Sequence, residues 1–200
     1  METWDNVLLS SVFSEKNRHV EGKTVLEAAD DTGKTSYEFM RDLLIGENSQ
    51  VQMIKFGMSE DNLRRVLGHP LVVIGSDGDA VAPYGPLSRG KPHPRFYGTF
   101  PRVLGRYVRE EKIIPFSEAV RKMTSLTADK FGLTGRGRIE VGSYADIVVC
   151  DPDTVIDRAT YQDPHRYPEG IEYVVVNGRL VIKNGEHTGE LPGRILRTTL

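Results

Sequence analysis

The sequence predicts an α/β fold followed by a small β-rich part, on three observations. Apolar runs of strand length alternate with stretches of helical period up to about residue 132. A loop rich in Gly, Pro, Asp and Ser interrupts them from 76 to 95. Beyond 132, short β-branched runs are punctuated by Asn-Gly pairs.

Each element has its own warrant. Residues 7–12 (VLLSSV) read as a short strand. Residues 21–31 and 36–46 read as helices broken at Gly33, with Val25, Ala28 and Ala29, then Phe39, Leu43 and Leu44, near helical spacing. Residues 51–56 form a strand candidate. Ser59 is a candidate N-cap, and Glu60 and Asp61 sit where carboxylates favour the positive helix end, so a helix should run to about Leu67. The apolar run at 71–75 has the pattern of a strand buried on both faces of a parallel sheet, so 51–76 reads β-α-β. The loop at 76–95 has no apolar period, and long ordered loops in compact proteins usually carry function. Residues 99–111 return to an amphipathic helix. Ser117 can cap a further helix through Met123, and 127–131 should form a short one. The runs at 145–150, 172–176 and 179–183 are strands, with Asn177-Gly178 as a type I′ hairpin signal and Asn184-Gly185 as the next turn. The expected division is therefore 1–132 and 133–200.

Composition excludes several classes. A net charge of -2 with scattered basic residues gives no nucleic-acid or anionic-membrane footprint. No apolar run approaches the ~20 residues that span a bilayer, and the first residues lack the pattern of a signal peptide. One cysteine, Cys150, fits a reducing cytoplasm. It sits on an apolar strand, where a buried inert thiol is expected.

Two residues stand out chemically. Asp77, in VVIGSDG, lies where a strand opens into a loop, which is where a barrel enzyme keeps catalytic carboxylates. Arg95, in KPHPRFYG, can hold a carboxylate through two parallel hydrogen bonds. Ser76 and Gly78 allow the tight turn, and Gly78 tolerates a positive φ. His93 reads as a residue that stabilises the loop by hydrogen bonding or stands behind the residues of the site, and His69 as structural. His19, His165 and His187 lie in polar settings expected to be solvated.

In order, GRGRIEVGSYADIVVCDPDTV and GIEYVVVNGRLVIKNGEHTG resemble the closing segment of the amidohydrolase superfamily. FGMSEDNLRRVLGHPLVVIGSDG, KPHPRFYGTFPRVLGRYVRE and AVRKMTSLTADKFGL resemble the N-acyl-D-amino-acid deacylases within it. The resemblance implies the C-terminal part of a (β/α)8 barrel followed by a small β-sandwich portion. It implies hydrolysis of the amide bond of N-acyl-D-amino acids, with Asp77 as the catalytic aspartate and Arg95 holding the substrate's free carboxylate. It also implies zinc in the complete enzyme, whose His-x-His pair no segment here matches.

The five histidines lack ligand spacing, whereas a hydrolytic zinc site takes three or more protein ligands. A whole barrel takes about 250 residues. The expectation is thus a partial chain that alone binds no zinc and lacks activity, whose open strand edges call for a homo-oligomer or an N-terminal barrel partner. Rival readings are a cyclic-amide hydrolase of dihydroorotase or hydantoinase type, and a non-catalytic homologue acting as an assembly module.

Overall fold

The computed structural model describes residues 4–197. They form two compact units, one of residues 4–59, 77–97 and 159–166, the other of 60–76, 98–158 and 167–197.

The first unit is built around β1 (Val7–Val12), which pairs antiparallel with β2 (Val51–Lys55) through a bulge between Leu9 and Ser11. The other edge of β1 is also occupied. Leu9 N–H donates to Lys23 O at 2.9 Å, Gly22 N–H to Leu9 O at 2.7 Å and Lys91 N–H to Ser10 O at 2.6 Å. Enclosed on both edges, β1 buries nearly every residue rather than alternating. Helix α1 (Val25–Asp30) follows, then α2 (Ser36–Gly46). Each opens with a capping box, Thr24 with Glu27 and Thr35 with Glu38, satisfying donors that a helix start leaves free. Val7, Leu9, Val12, Val25, Ala28, Ala29, Phe39 and Leu43 form the core. The expected start of α1 at 21 is corrected to 25, because residues 22 and 23 commit their backbone to β1.

The second unit begins with α3 (Glu60–Gly68). The 71–75 run is not a strand, and this corrects the β-α-β reading: β2 pairs antiparallel with β1, and nothing among the described residues pairs with 71–75. A parallel strand needs neighbours to take its N–H and C=O groups. Leu71 is 80% exposed, while Ile74 is buried in the core with Leu67, Val103, Tyr107, Val108, Ile114 and Ala119.

Helix α4 (Arg95–Arg102) starts four residues earlier than the sequence indicates and continues as a π-helix over Val103–Glu110. Pro101 has no N–H to give and its ring crowds the preceding turn. Downstream the register widens, and Glu111 N–H reaches back five residues to Arg106 O at 2.8 Å. Gly105 is required there, since a Cβ would lie 2.6 Å from Val155 O. Helices α5 (Phe116–Met123) and α6 (Ser125–Lys130) follow. The N-cap of α5 is Pro115, not Ser117, which already lies in the helix.

The chain closes in one antiparallel sheet of order β3-β4-β5-β6: β3 (Ile147–Cys150), β4 (Ile171–Val176), β5 (Arg179–Lys183) and β6 (Glu186–His187). Asn177 and Gly178 take φ of 48° and 79°, the type I′ signature, and Asn184 and Gly185 repeat it at 52° and 80°. Arg136 holds the first hairpin by pairing with Asp146, donating to Asn177 Oδ1 at 2.6 Å and stacking on Tyr144. No helix among the described residues is long and apolar enough to cross a membrane.

Candidate functional site

Asp77 and Arg95 meet in the first unit. The Arg95 side chain donates from Nε to the Asp77 carbonyl at 2.9 Å, and Nη2 lies 2.7 Å from Asp77 Oδ2. One guanidinium thus grips both the backbone and the carboxylate of a residue 18 positions upstream. The Asp77 carboxylate remains 88% exposed. Its backbone φ is 47°, in the left-handed region. A non-glycine residue there carries strain of a kind that collects at functional sites.

Arg95 is the first residue of α4, and the turn before it is pinned twice. Arg95 N–H donates to His93 Nδ1 at 3.0 Å, and His93 Nε2 lies 3.2 Å from the Tyr161 hydroxyl, with the two rings edge to face. Tyr97, two residues past Arg95, bonds His165 Nδ1 at 2.9 Å, and His165 Nε2 donates to Gly90 O at 3.1 Å. His165 is therefore half-buried and bonded at both nitrogens, a correction to its expected solvation, whereas His19 and His187 are exposed. Tyr161 also packs edge to face on Phe56 and lines an open recess of about 500 Å³ with Thr24 and Gln162. Tyr84, on the loop, is 65% exposed.

A hydrolytic metal does not fit these residues by themselves. Among the described residues no three His, Cys, Asp or Glu side chains converge, and the neighbour that Asp77 does have is a cation.

Three further ionisable groups lie in settings that shift them, and of these the sequence points only to Cys150. Glu47 is 2% exposed and accepts from Phe13 N–H at 2.8 Å, Ser14 N–H at 2.7 Å, the Ser14 hydroxyl and Asn17 Nδ2. Burial pushes its carboxyl up, but these donors prevail and hold it at about 2. Lys122 is fully buried and its Nζ donates to Leu67 O at 2.7 Å and His69 O at 2.5 Å, closing the C-terminus of α3. Burial lowers its pKa. Cys150 is half-buried, and burial with neighbouring Asp151 raises its thiol, away from nucleophilic use. Apart from its helix period, Lys122 has no signal in the sequence that marks it as buried.

Comparison with known proteins places these features in context. Residues 22–182 match the Amidohydrolase family. The chain is 42% identical over 178 residues to a D-aminoacylase of Alcaligenes xylosoxydans xylosoxydans, covering 89% of this chain and 34% of the relative. It is 48% identical over 144 residues to an N-acyl-D-glutamate deacylase of the same organism, covering 72% and 28%. It superposes with a TM-score of 0.78 and 37% identity on the crystal structure of N-acyl-D-glutamate deacylase from Bordetella bronchiseptica, complexed with zinc and a phosphonate mimic of the tetrahedral intermediate. That match covers 90% of this chain and 35% of the other, so the chain spans about a third of the length of the proteins it matches. The mixed α/β architecture described above is thus a portion of the amidohydrolase fold.

Proposed function

Because the chain belongs to the amidohydrolase family, we propose that the complete protein hydrolyses the amide bond of N-acyl-D-amino acids, with Asp77 and Arg95 in its active site. One observation carries this reading: Arg95 is brought to Asp77 across 18 residues and already holds a carboxylate there. A substrate's free α-carboxylate offers Arg95 the same partner, with both charge and orientation. Exchange of one carboxylate for the other leaves the Asp77 oxygens free. Asp77 then accepts the proton of the attacking water and returns it to the departing nitrogen, which leaves as an amine. The Asp77 carboxylate, 88% exposed, is open to a substrate and to water.

Zinc belongs in this proposal to the complete protein, on ligands outside this chain, and no step here depends on it. The organisation proposed for the complete protein makes 1–132 the closing segment of a barrel and 133–200 one layer of a β domain. The 71–75 run would find its sheet partners in the remaining barrel, contributed by the same polypeptide or by a partner. A cytoplasmic location is supported by the lone, unreactive thiol.

The test is Asp77→Asn in the complete protein, assayed on an N-acetyl-D-amino acid. Turnover should fall about 10³-fold with substrate affinity little changed, as for loss of a general base. Undiminished turnover would remove Asp77 from the chemistry. A complete protein that is inactive and metal-free as isolated would instead support an assembly role.

A further inference from the structure

The turn that carries Arg95 is held by a reciprocal pair of contacts. Residues 93–97 read His-Pro-Arg-Phe-Tyr and residues 161–165 read Tyr-Gln-Asp-Pro-His. His93 bonds Tyr161 at 3.2 Å and Tyr97 bonds His165 at 2.9 Å, each pair 68 residues apart. Histidine and tyrosine exchange places between the two segments, and Arg95 sits midway along its own. Two further links hold 161–165 to the strip before the turn: His165 Nε2 to Gly90 O at 3.1 Å and Lys91 Nζ to Gln162 O at 3.1 Å.

The hydrogen-bond roles follow from the imidazole. His93 Nδ1 accepts the Arg95 N–H, so in the neutral ring Nε2 carries the proton and donates it to the Tyr161 oxygen. His69 and His187 also accept an N–H two residues on, at 3.3 and 2.9 Å, so that local bond alone is ordinary. What sets His93 apart is the half-buried Tyr161 on its second nitrogen, itself braced by the Phe56 ring. A chain of contacts thus runs from Phe56 through Tyr161 and His93 to the backbone of Arg95.

We propose that this double Tyr–His clasp positions Arg95 for the substrate carboxylate, with Tyr161 and His93 as its principal positioning residues and Tyr97 and His165 as the second arm. This rests on Arg95 being the carboxylate-binding residue. The guanidinium has several bonds of rotational freedom, and fixing its backbone origin lowers the entropy lost on gripping a ligand. Neither ring reaches the reacting atoms through any contact described, so the effect falls on binding rather than on the chemical step.

The experiment uses the complete protein with N-acetyl-D-leucine and its α-carboxamide, N-acetyl-D-leucinamide. Tyr161→Phe should raise KM for the acid about 5-fold, the value of one hydrogen bond, with kcat within about 2-fold. KM for the carboxamide should not move. His93→Asn, which keeps an oxygen facing the Arg95 N–H but cannot reach Tyr161, should reproduce that pattern and serves should Tyr161→Phe fold poorly. Equal losses on both substrates, accompanied by a lower melting temperature, would make the clasp structural and overturn the proposal. If Arg95→Lys raises KM for the acid while both clasp variants leave it unchanged, the clasp alone is refuted. If Arg95→Lys also leaves it unchanged, the carboxylate role of Arg95 falls, and the clasp proposal with it.

Discussion

Two carboxylates of the first unit show opposite uses of the same chemical group. Glu47 is 2% exposed, surrounded by donors from Phe13, Ser14 and Asn17, and held at about 2. Asp77 is 88% exposed, sits on a strained backbone at φ 47°, and has a guanidinium that a ligand could take from it. A carboxylate whose lone pairs are filled by its own backbone has no capacity left for a substrate. One left open on a loop adds little to folding and is available for chemistry. The difference lies in the surroundings, since both are acids next to polar, turn-rich sequence.

The largest expected effect on folding is at Glu47. Glu47→Ala should lower unfolding stability by about 3 kcal/mol, because the donors of Phe13, Ser14 and Asn17 lose their acceptor inside the protein. Urea unfolding monitored by Trp4 fluorescence and circular dichroism measures it. A loss under about 1 kcal/mol would mean that water replaces the carboxylate and that the two acids differ less than their burial indicates.

The pH dependence is the next contrast. Glu47 falls from its ordinary 4.5 to about 2 on folding, so the folded state holds the charged form more tightly. Its stabilisation is complete above about 4.5 and drains away as pH falls through about 2. Glu47→Gln should therefore be less stable than the parent at pH 7, with the gap closing towards pH 2. A gap of equal size at both ends would show that shape, not charge, holds that turn.

How much of this was legible depends on how far apart the partners lie. The Asn177-Gly178 hairpin was readable because its cause is two adjacent residues that tolerate positive φ. Helix α2 was readable to the residue because its caps and apolar stripe are local. Asp77 and Arg95 were singled out from their setting and from family resemblance, and the contact between them emerged only in three dimensions. Glu47 was not, because its donors lie 30 to 34 positions upstream. Nor were Tyr161 and His165, whose partners are 68 residues away and whose local sequence is indistinguishable from a polar turn. The 71–75 run shows the opposite failure. Its composition is that of a buried parallel strand, but a strand exists only through its neighbours, and the described residues provide none.

The smallest expected effect turns on the backbone of Asp77 and separates its conformation from its charge. At φ 47° the Cβ of an L-residue crowds the neighbouring carbonyl, a cost glycine escapes. Asp77→Gly removes that strain, but it also gives the unfolded chain more freedom and cancels the ion pair with Arg95. The pair is exposed on the aspartate side and contributes little to stability. Strain relief should therefore slightly outweigh the losses, raising stability by about 0.5 kcal/mol while turnover in the complete protein collapses. Asp77→Asn keeps the strain and should leave stability within about 0.5 kcal/mol of the parent. Melting temperatures of the two variants, measured side by side, decide the matter. If Asp77→Gly is the less stable of the two, the left-handed backbone is a relaxed turn rather than a strained one. The contrast with Glu47 would then rest on exposure alone.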